Sequence, residues 1–122
     1  MPSSTTPKPV IWVGPSRKEL KALPPEVRQA FGVALWRAQC LSHVPSAHSM
    51  QGLRFRGVLE VRGDFDRMTC RMMLATNFDE AVYVLCAFPK KATRGIRTPA
   101  RRLALVAKRL GNARELHARA ER

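Results

Sequence analysis

Ala81-Val82-Tyr83-Val84-Leu85-Cys86-Ala87-Phe88 runs for eight residues without a charged or amide side chain. An apolar, β-prone run of that length folds as a buried strand, so the chain must form a sheet and cover it. The run leads through Pro89 into Lys90 to Arg109, which carries eight basic residues and no acidic one. A buried strand that ends in a cationic loop presents charge rigidly to a polyanion. Lys90, Lys91, Arg94 and Arg97 fall in a loop punctuated by Gly95, and Arg101 and Arg102 open a helix behind Thr98-Pro99.

The rest of the chain agrees with that focus. Its 22 Lys+Arg against 9 Asp+Glu give a formal charge of +13 and a pI near 11.2. Charge of one sign repels itself, so the partner it implies is nucleic acid, or an acidic protein that mimics or covers nucleic acid.

At 122 residues, 45% of them apolar, the chain has room for one core. We expect a polar tail over residues 1–9, one domain over 10–111 and a basic, partly frayed tail over 112–122. Cys40, Cys70 and Cys86 lack CxxC spacing, and His43, His48 and His117 are not spaced as metal ligands, so neither a disulfide framework nor a zinc site is expected. No cofactor is implied. The polar, Pro-rich start is unlike a secretory signal and no apolar run reaches membrane-spanning length, which predicts a cytoplasmic protein with no membrane partner.

Val10 to Val13, ended by Gly14-Pro15, reads as a short strand. Ser16 is placed to cap a short helix over Arg17 to Leu23, with Glu19 at the capping-box position. Pro24-Pro25-Glu26 starts a second helix, whose stripe of Val27, Phe31, Ala34, Leu35, Ala38 and Leu41 lies on the sheet. Trp36 falls off that stripe, as a rim residue or part of a partner surface. Ser42 to Gly52 reads as a loop; its His48 could be argued as a general base, but a histidine facing solvent is the reading preferred.

Leu53 to Arg56 and Val58 to Arg62 alternate as strands, and Gly63-Asp64-Phe65-Asp66 turns the chain. Met68 to Thr76 forms the next strand, and Asn77 to Glu80 turns it into Ala81 to Phe88. The last element is capped by Thr98 and Pro99, with Leu103, Val106, Ala107 and Leu110 inward, Arg101, Arg102, Lys108 and Arg109 outward, and Leu105 exposed off the apolar stripe. The predicted class is α+β: a small antiparallel sheet of about four strands packed against two N-terminal helices, with a C-terminal helix.

This order, together with Gln51-Gly52-Leu53, Leu59-Glu60-Val61-Arg62, Arg71, Val84 to Lys91 and Thr98-Pro99, resembles the RelE/ParE superfamily of bacterial toxins. More narrowly it is similar to the HigB-like, phage-derived branch. The resemblance spans Ile11 to Leu110. It implies a toxin of a type II toxin–antitoxin pair that cuts messenger RNA on the ribosome, and an antitoxin partner of helix-turn-helix type.

That reaction needs attack of a ribose 2′-hydroxyl on the adjacent phosphate, with stabilisation of a dianionic phosphorane, a base and an acid. The resemblance puts Arg71 against the scissile phosphate, where a bidentate guanidinium fits; a salt bridge to Glu60 or Asp66 is the alternative. It makes Lys90 the donor to the leaving 5′-oxygen and Lys91 a phosphate holder. Glu60, the carboxylate within the central strands, is the candidate base, or else the partner of Arg62 or Arg71. Arg54, Arg56, Arg62, Thr93, Arg94, Arg97, Arg101 and Arg102 supply the remaining RNA contacts, and Trp36 and Leu105 the antitoxin contacts.

Cys86 stands where many relatives have histidine, and Gln51 where many have lysine. Cys86 reads as a core thiol. Two other functions remain open on the sequence: a non-enzymatic, ParE-like gyrase poison, and an inactive nucleic-acid-binding relative.

Overall fold

The computed structural model describes residues 6–91 and 99–120, with side chains through Pro89 and again from Pro99. The apolar run becomes β5 (Val82–Lys91), an interior strand of a five-stranded sheet. Beside it on one side lies β1 (Val10–Trp12); on the other follow β4 (Met68–Ala75), β3 (Val58–Phe65) and β2 (Ala47–Ser49). β1 pairs parallel to β5 with Ile11 opposite Tyr83, and the remaining pairings are antiparallel. The α+β class and the flanking helices are as expected.

Both faces of the sheet are covered. On one, α2 (Pro25–Gln39) packs Val27, Phe31, Ala34, Leu35 and Ala38 against Val61, Met72, Leu74, Val82 and Val84. On the other, α3 (Ala100–Ala120) packs Val106, Leu110 and Ala113 against Val58, Met73, Tyr83, Leu85 and Phe88. This double cover is why β5 carries no alternation of apolar and polar residues. The ladder between β4 and β5 slips by one residue, Met73 facing Cys86 but Leu74 facing Val84, so Leu85 is an extra residue in β5. Leu85 and Cys86 consequently both join the core beneath α3.

Several local expectations are corrected. Ser42 to Gly52 is not wholly loop, because Ala47–Ser49 pairs with β3 as an edge strand. Leu53 to Arg56 is not strand: Gly52 (φ 101°) and Gly57 (φ 82°) bracket a 3₁₀ turn over Leu53–Phe55 that buries Phe55. The hairpin turn lies not at Gly63 but at Asp66 and Arg67, both at positive φ as a two-residue hairpin requires. Gly63 instead sits within β3, where an added Cβ would come 3.1 Å from the Phe31 ring, so its role is close packing under α2.

The helix ends differ as well. Ser16 is the first residue of α1 (Ser16–Lys21) and caps nothing; its hydroxyl is buried without a partner among the described residues. α2 stops at Gln39, leaving Leu41 exposed at φ 59°. Residues 112–120, expected to fray, continue α3, with Ala113 buried and the His117 ring 4.7 Å from Phe78. Lys8, assigned to the polar tail, is anchored: its amide donates to Gln39 O at 2.9 Å and its Nζ to Phe78 O at 2.8 Å.

Gly57 gives a direct test of the turn. A Cβ there would collide with the Asn77 side chain at a φ that L-residues rarely adopt. Gly57→Ala should cost about 1–2 kcal/mol, read by denaturant unfolding. An unchanged midpoint would show that the turn relaxes freely.

Candidate functional site

The β2–β3–β4 register gathers one carboxylate and several cations. His48 stands directly opposite Glu60, and Arg62 directly opposite Arg71. Glu60 and Arg62 are two residues apart in one strand and so share a face. The Glu60 side chain is 6% exposed, and Arg71 Nη1 donates to its Oε2 at 2.9 Å. On the other oxygen, His48 Nε2 lies 2.8 Å from Oε1 and Arg62 Nη2 3.6 Å from it. A carboxylate removed from water is strongly unfavourable unless cations and hydrogen-bond donors replace its hydration; Arg71 and Arg62 bring the charge and His48 a ring nitrogen.

Exposure separates the cluster into two layers. Arg71 is only 2% exposed, lying opposite Phe88 of β5. The expectation of an Arg71 that meets phosphate from solvent, and of Glu60 as a directly acting base, is therefore corrected: the two form a buried ion pair. Arg62 is about one-third exposed (34%) and His48 about half (51%). A cleft of about 590 Å³ runs along the β3 edge on the α2 face, lined by Glu26, Val27, Ser46, His48, Arg62, Gly63 and Asp64, but the register turns the His48 and Arg62 side chains to the opposite face with Glu60. Arg62 Nε is buried without a partner among the described residues, so Arg62 is only partly used by the fold.

Of the other predicted contacts, Arg102 stacks over the Phe88 ring at 4.5 Å, which brings the first turn of α3 beside Arg71's strand neighbour. Arg101 is exposed, as are Arg54 and Arg56 on the 3₁₀ turn, Arg54 lying over Phe55. The backbone of Lys90 pairs with Thr69, two residues along β4 from Arg71. The side chains of Lys90 and Lys91, and all of Thr93, Arg94, Arg97 and Thr98, lie outside the described residues. Trp36 is 55% exposed, alongside exposed Val33 on the outer face of α2. Leu105, expected to be exposed, is half-buried.

Arg109, assigned from the sequence to a solvated basic face, is mostly buried. It grips Glu19 with both Nη atoms, at 2.7 and 2.9 Å, and donates to Leu85 O at 2.9 Å. Glu19 Oε1 also accepts from the Ala87 amide at 3.2 Å. Glu19 is thus no capping-box residue: with Arg109 it ties α1, the free edge of β5 and α3 together. Hydrogen bonding to Glu19 pushes the Arg109 pKa up against the opposing effect of burial. Nearby Cys86 is fully buried, and burial followed by the Glu19 charge pushes its thiol up to about 12, which leaves no thiolate at neutral pH. Among the described residues no group of three metal-ligating side chains comes together.

With that geometry in place, the comparisons decide the family. The model of the phage-derived Gp49-like proteins matches residues 18–111, most of the chain. The chain belongs to the Gp49-like family. Its fold is similar to that of a chain in the toxin–antitoxin complex RelBE2 from Mycobacterium tuberculosis. The TM-score is 0.50 at 15% identity, over 74% of this chain and 98% of that one. The fold is therefore RelE-like. No curated protein matches the sequence.

In this Gp49-like chain the sequence reading set His48 aside as a solvent-facing loop residue and missed the Glu19–Arg109 bridge. Ala47-His48-Ser49 has no β-branched or aromatic residue to mark it as a strand. Only its pairing opposite Glu60 converts a loop histidine into a member of the cluster.

Proposed function

We propose that this Gp49-like protein is the toxin of a type II toxin–antitoxin pair, of the HigB-like branch, and that it stops translation by cutting messenger RNA on the ribosome. The observation that carries this reading is the two-layered cation cluster. Buried Arg71 fixes Glu60, while Arg62 and Arg102 offer partly exposed guanidiniums beside the start of the basic segment. A preorganised positive field costs little reorganisation when a phosphorane forms, and the cluster supplies one. Family membership and a fold found in a toxin–antitoxin complex support the same class.

In this reading Arg62, Arg102, Arg54, Arg56 and Arg101 hold the RNA backbone, with Lys91, Thr93, Arg94 and Arg97 extending the contact. Lys90 protonates the leaving 5′-oxygen. Arg71 contributes its field from beneath the reacting phosphate and holds the strands in register. The workplace is the cytoplasm.

The test is induced expression in bacteria of the wild type and of an Arg62→Ala/Arg102→Ala double variant, both confirmed as folded, with transcript ends mapped during arrest. The expected result is arrest with cuts inside reading frames, lost in the double variant. Arrest with intact transcripts and an SOS response would replace the ribonuclease with a gyrase poison. Normal growth would leave a binding protein.

The antitoxin, of helix-turn-helix type, is placed on the outer face of α2 around Trp36. A half-exposed tryptophan beside exposed valine suits an interface anchor. Trp36→Ala should weaken antitoxin binding by at least about tenfold without lowering the unfolding midpoint, as calorimetric titration and melting would show. Equal affinity would move the interface elsewhere.

A further inference from the structure

We infer that His48 is the general base of the proposed cleavage, and that Glu60 acts through it as a positioning residue. This deepens the ribonuclease reading and rests on it. A base must reach the 2′-hydroxyl. Glu60, with a 6% exposed side chain and both oxygens occupied, does not. His48 does: its side chain is 51% exposed on the edge strand β2, and Nε2 lies 2.8 Å from Glu60 Oε1.

The arrangement has the logic of a carboxylate-oriented imidazole. A buried anion fixes the ring and stabilises the imidazolium that forms when the ring takes a proton. Arg71 holds the far oxygen, Oε2, and Arg62 approaches Oε1 beside His48, so the anion moves little as charge develops. With Nε2 turned to the carboxylate, Nδ1 is the nitrogen left for substrate. Among the described residues, the charged groups on the face of His48 are Glu60 and Arg62 of β3, Asp64 farther along the same strand, and Arg71 of β4 behind Glu60. Arg62, one-third exposed on the same face as His48, is placed to hold the phosphate.

The step balances. Nδ1 of the neutral ring removes the 2′-hydroxyl proton, and that oxygen forms a bond to the adjacent phosphorus. The bond from phosphorus to the 5′-oxygen breaks, and the leaving oxygen takes a proton from the basic segment or from water. The products are a 2′,3′-cyclic phosphate and a 5′-hydroxyl end, and His48 returns its proton to solvent.

The test uses the full-length protein and ribosomes programmed with a defined short message, with single-turnover cleavage measured from about pH 5 to 9, the range that brackets histidine titration. His48→Ala, at a half-exposed edge position, should keep its unfolding midpoint and lose about 10²- to 10⁴-fold in rate. It should also lose the acid limb of the pH profile and be partly rescued by added imidazole. Glu60→Gln should lower the rate constant more than it changes substrate binding. Wild-type rates in His48→Ala would overturn the assignment and leave the ribonuclease standing. So would a loss of rate that keeps the acid limb and resists imidazole. If the wild type cuts no message, the proposed function fails and this inference falls with it.

Discussion

Glu19→Ala should destabilise the protein by about 3 kcal/mol, the lower end of what breaking a buried ion pair costs, because the Glu19 side chain keeps 23% of its exposure. The loss is not confined to one contact. Arg109, with a side chain 10% exposed, would retain its charge between α3 and β5, and the Ala87 amide would lose its acceptor. An unpaired buried cation and an unsatisfied edge amide are each unfavourable. In a domain of this size the midpoint should fall by about 10–15 °C. Replacing both members with apolar residues of similar shape should restore most of it, since the desolvation cost disappears with the charges. A Glu19→Ala midpoint within a degree or two of wild type would show that the bridge is ornamental to the fold.

Arg71→Ala should be costlier still, about 3–5 kcal/mol from the stranded Glu60 charge plus the cavity left by one of the largest fully buried side chains. Under the proposed function, loss of growth arrest in that variant would then report unfolding as readily as chemistry. Arg71→Met with Glu60→Leu separates the two: it removes the charges while filling the space. It should fold with a midpoint near wild type and be inactive. A folded, soluble and fully active double variant would show that the cluster's buried half plays no part in the reaction. A stable single Arg71→Ala would show that Glu60 finds other compensation.

Much of the architecture was legible because it follows from period and punctuation. The unbroken apolar run gave the interior strand, and the 3.6-residue stripe of Val27, Phe31 and Ala34 gave α2. What failed was what depends on partners distant in sequence. Gly63 looked like a turn because glycine usually serves that role, yet here it makes room for Phe31 thirty-two residues earlier. Arg109 looked solvated because a basic residue on a helix usually is; only the fold brings it to Glu19, ninety residues away. Of the site, Glu60, Arg62 and Arg71 were identifiable from their places in the strands, and pairing of Glu60 with Arg71 was one of the two readings held open. The burial of Glu60 and Arg71 was not foreseeable, because it depends on which face α3 covers. His48 was read as a solvent-facing loop residue because three short polar residues carry no strand signal until a neighbour pairs with them.

The parallel pairing of β1 with β5 has a consequence for the protein's birth. Val10 finds its partner Val82 only after some seventy further residues have been made, and Glu19 waits longer for Arg109. A nascent chain holding β1 to β4 has no central strand to join its edges and no α3 to cover the second face. Contacts so far apart in sequence close late. Synthesis therefore orders assembly: β2 to β4, which carry His48, Glu60, Arg62 and Arg71, can pair early, but the sheet closes around β5 and gains its second cover only after most of the chain has been made.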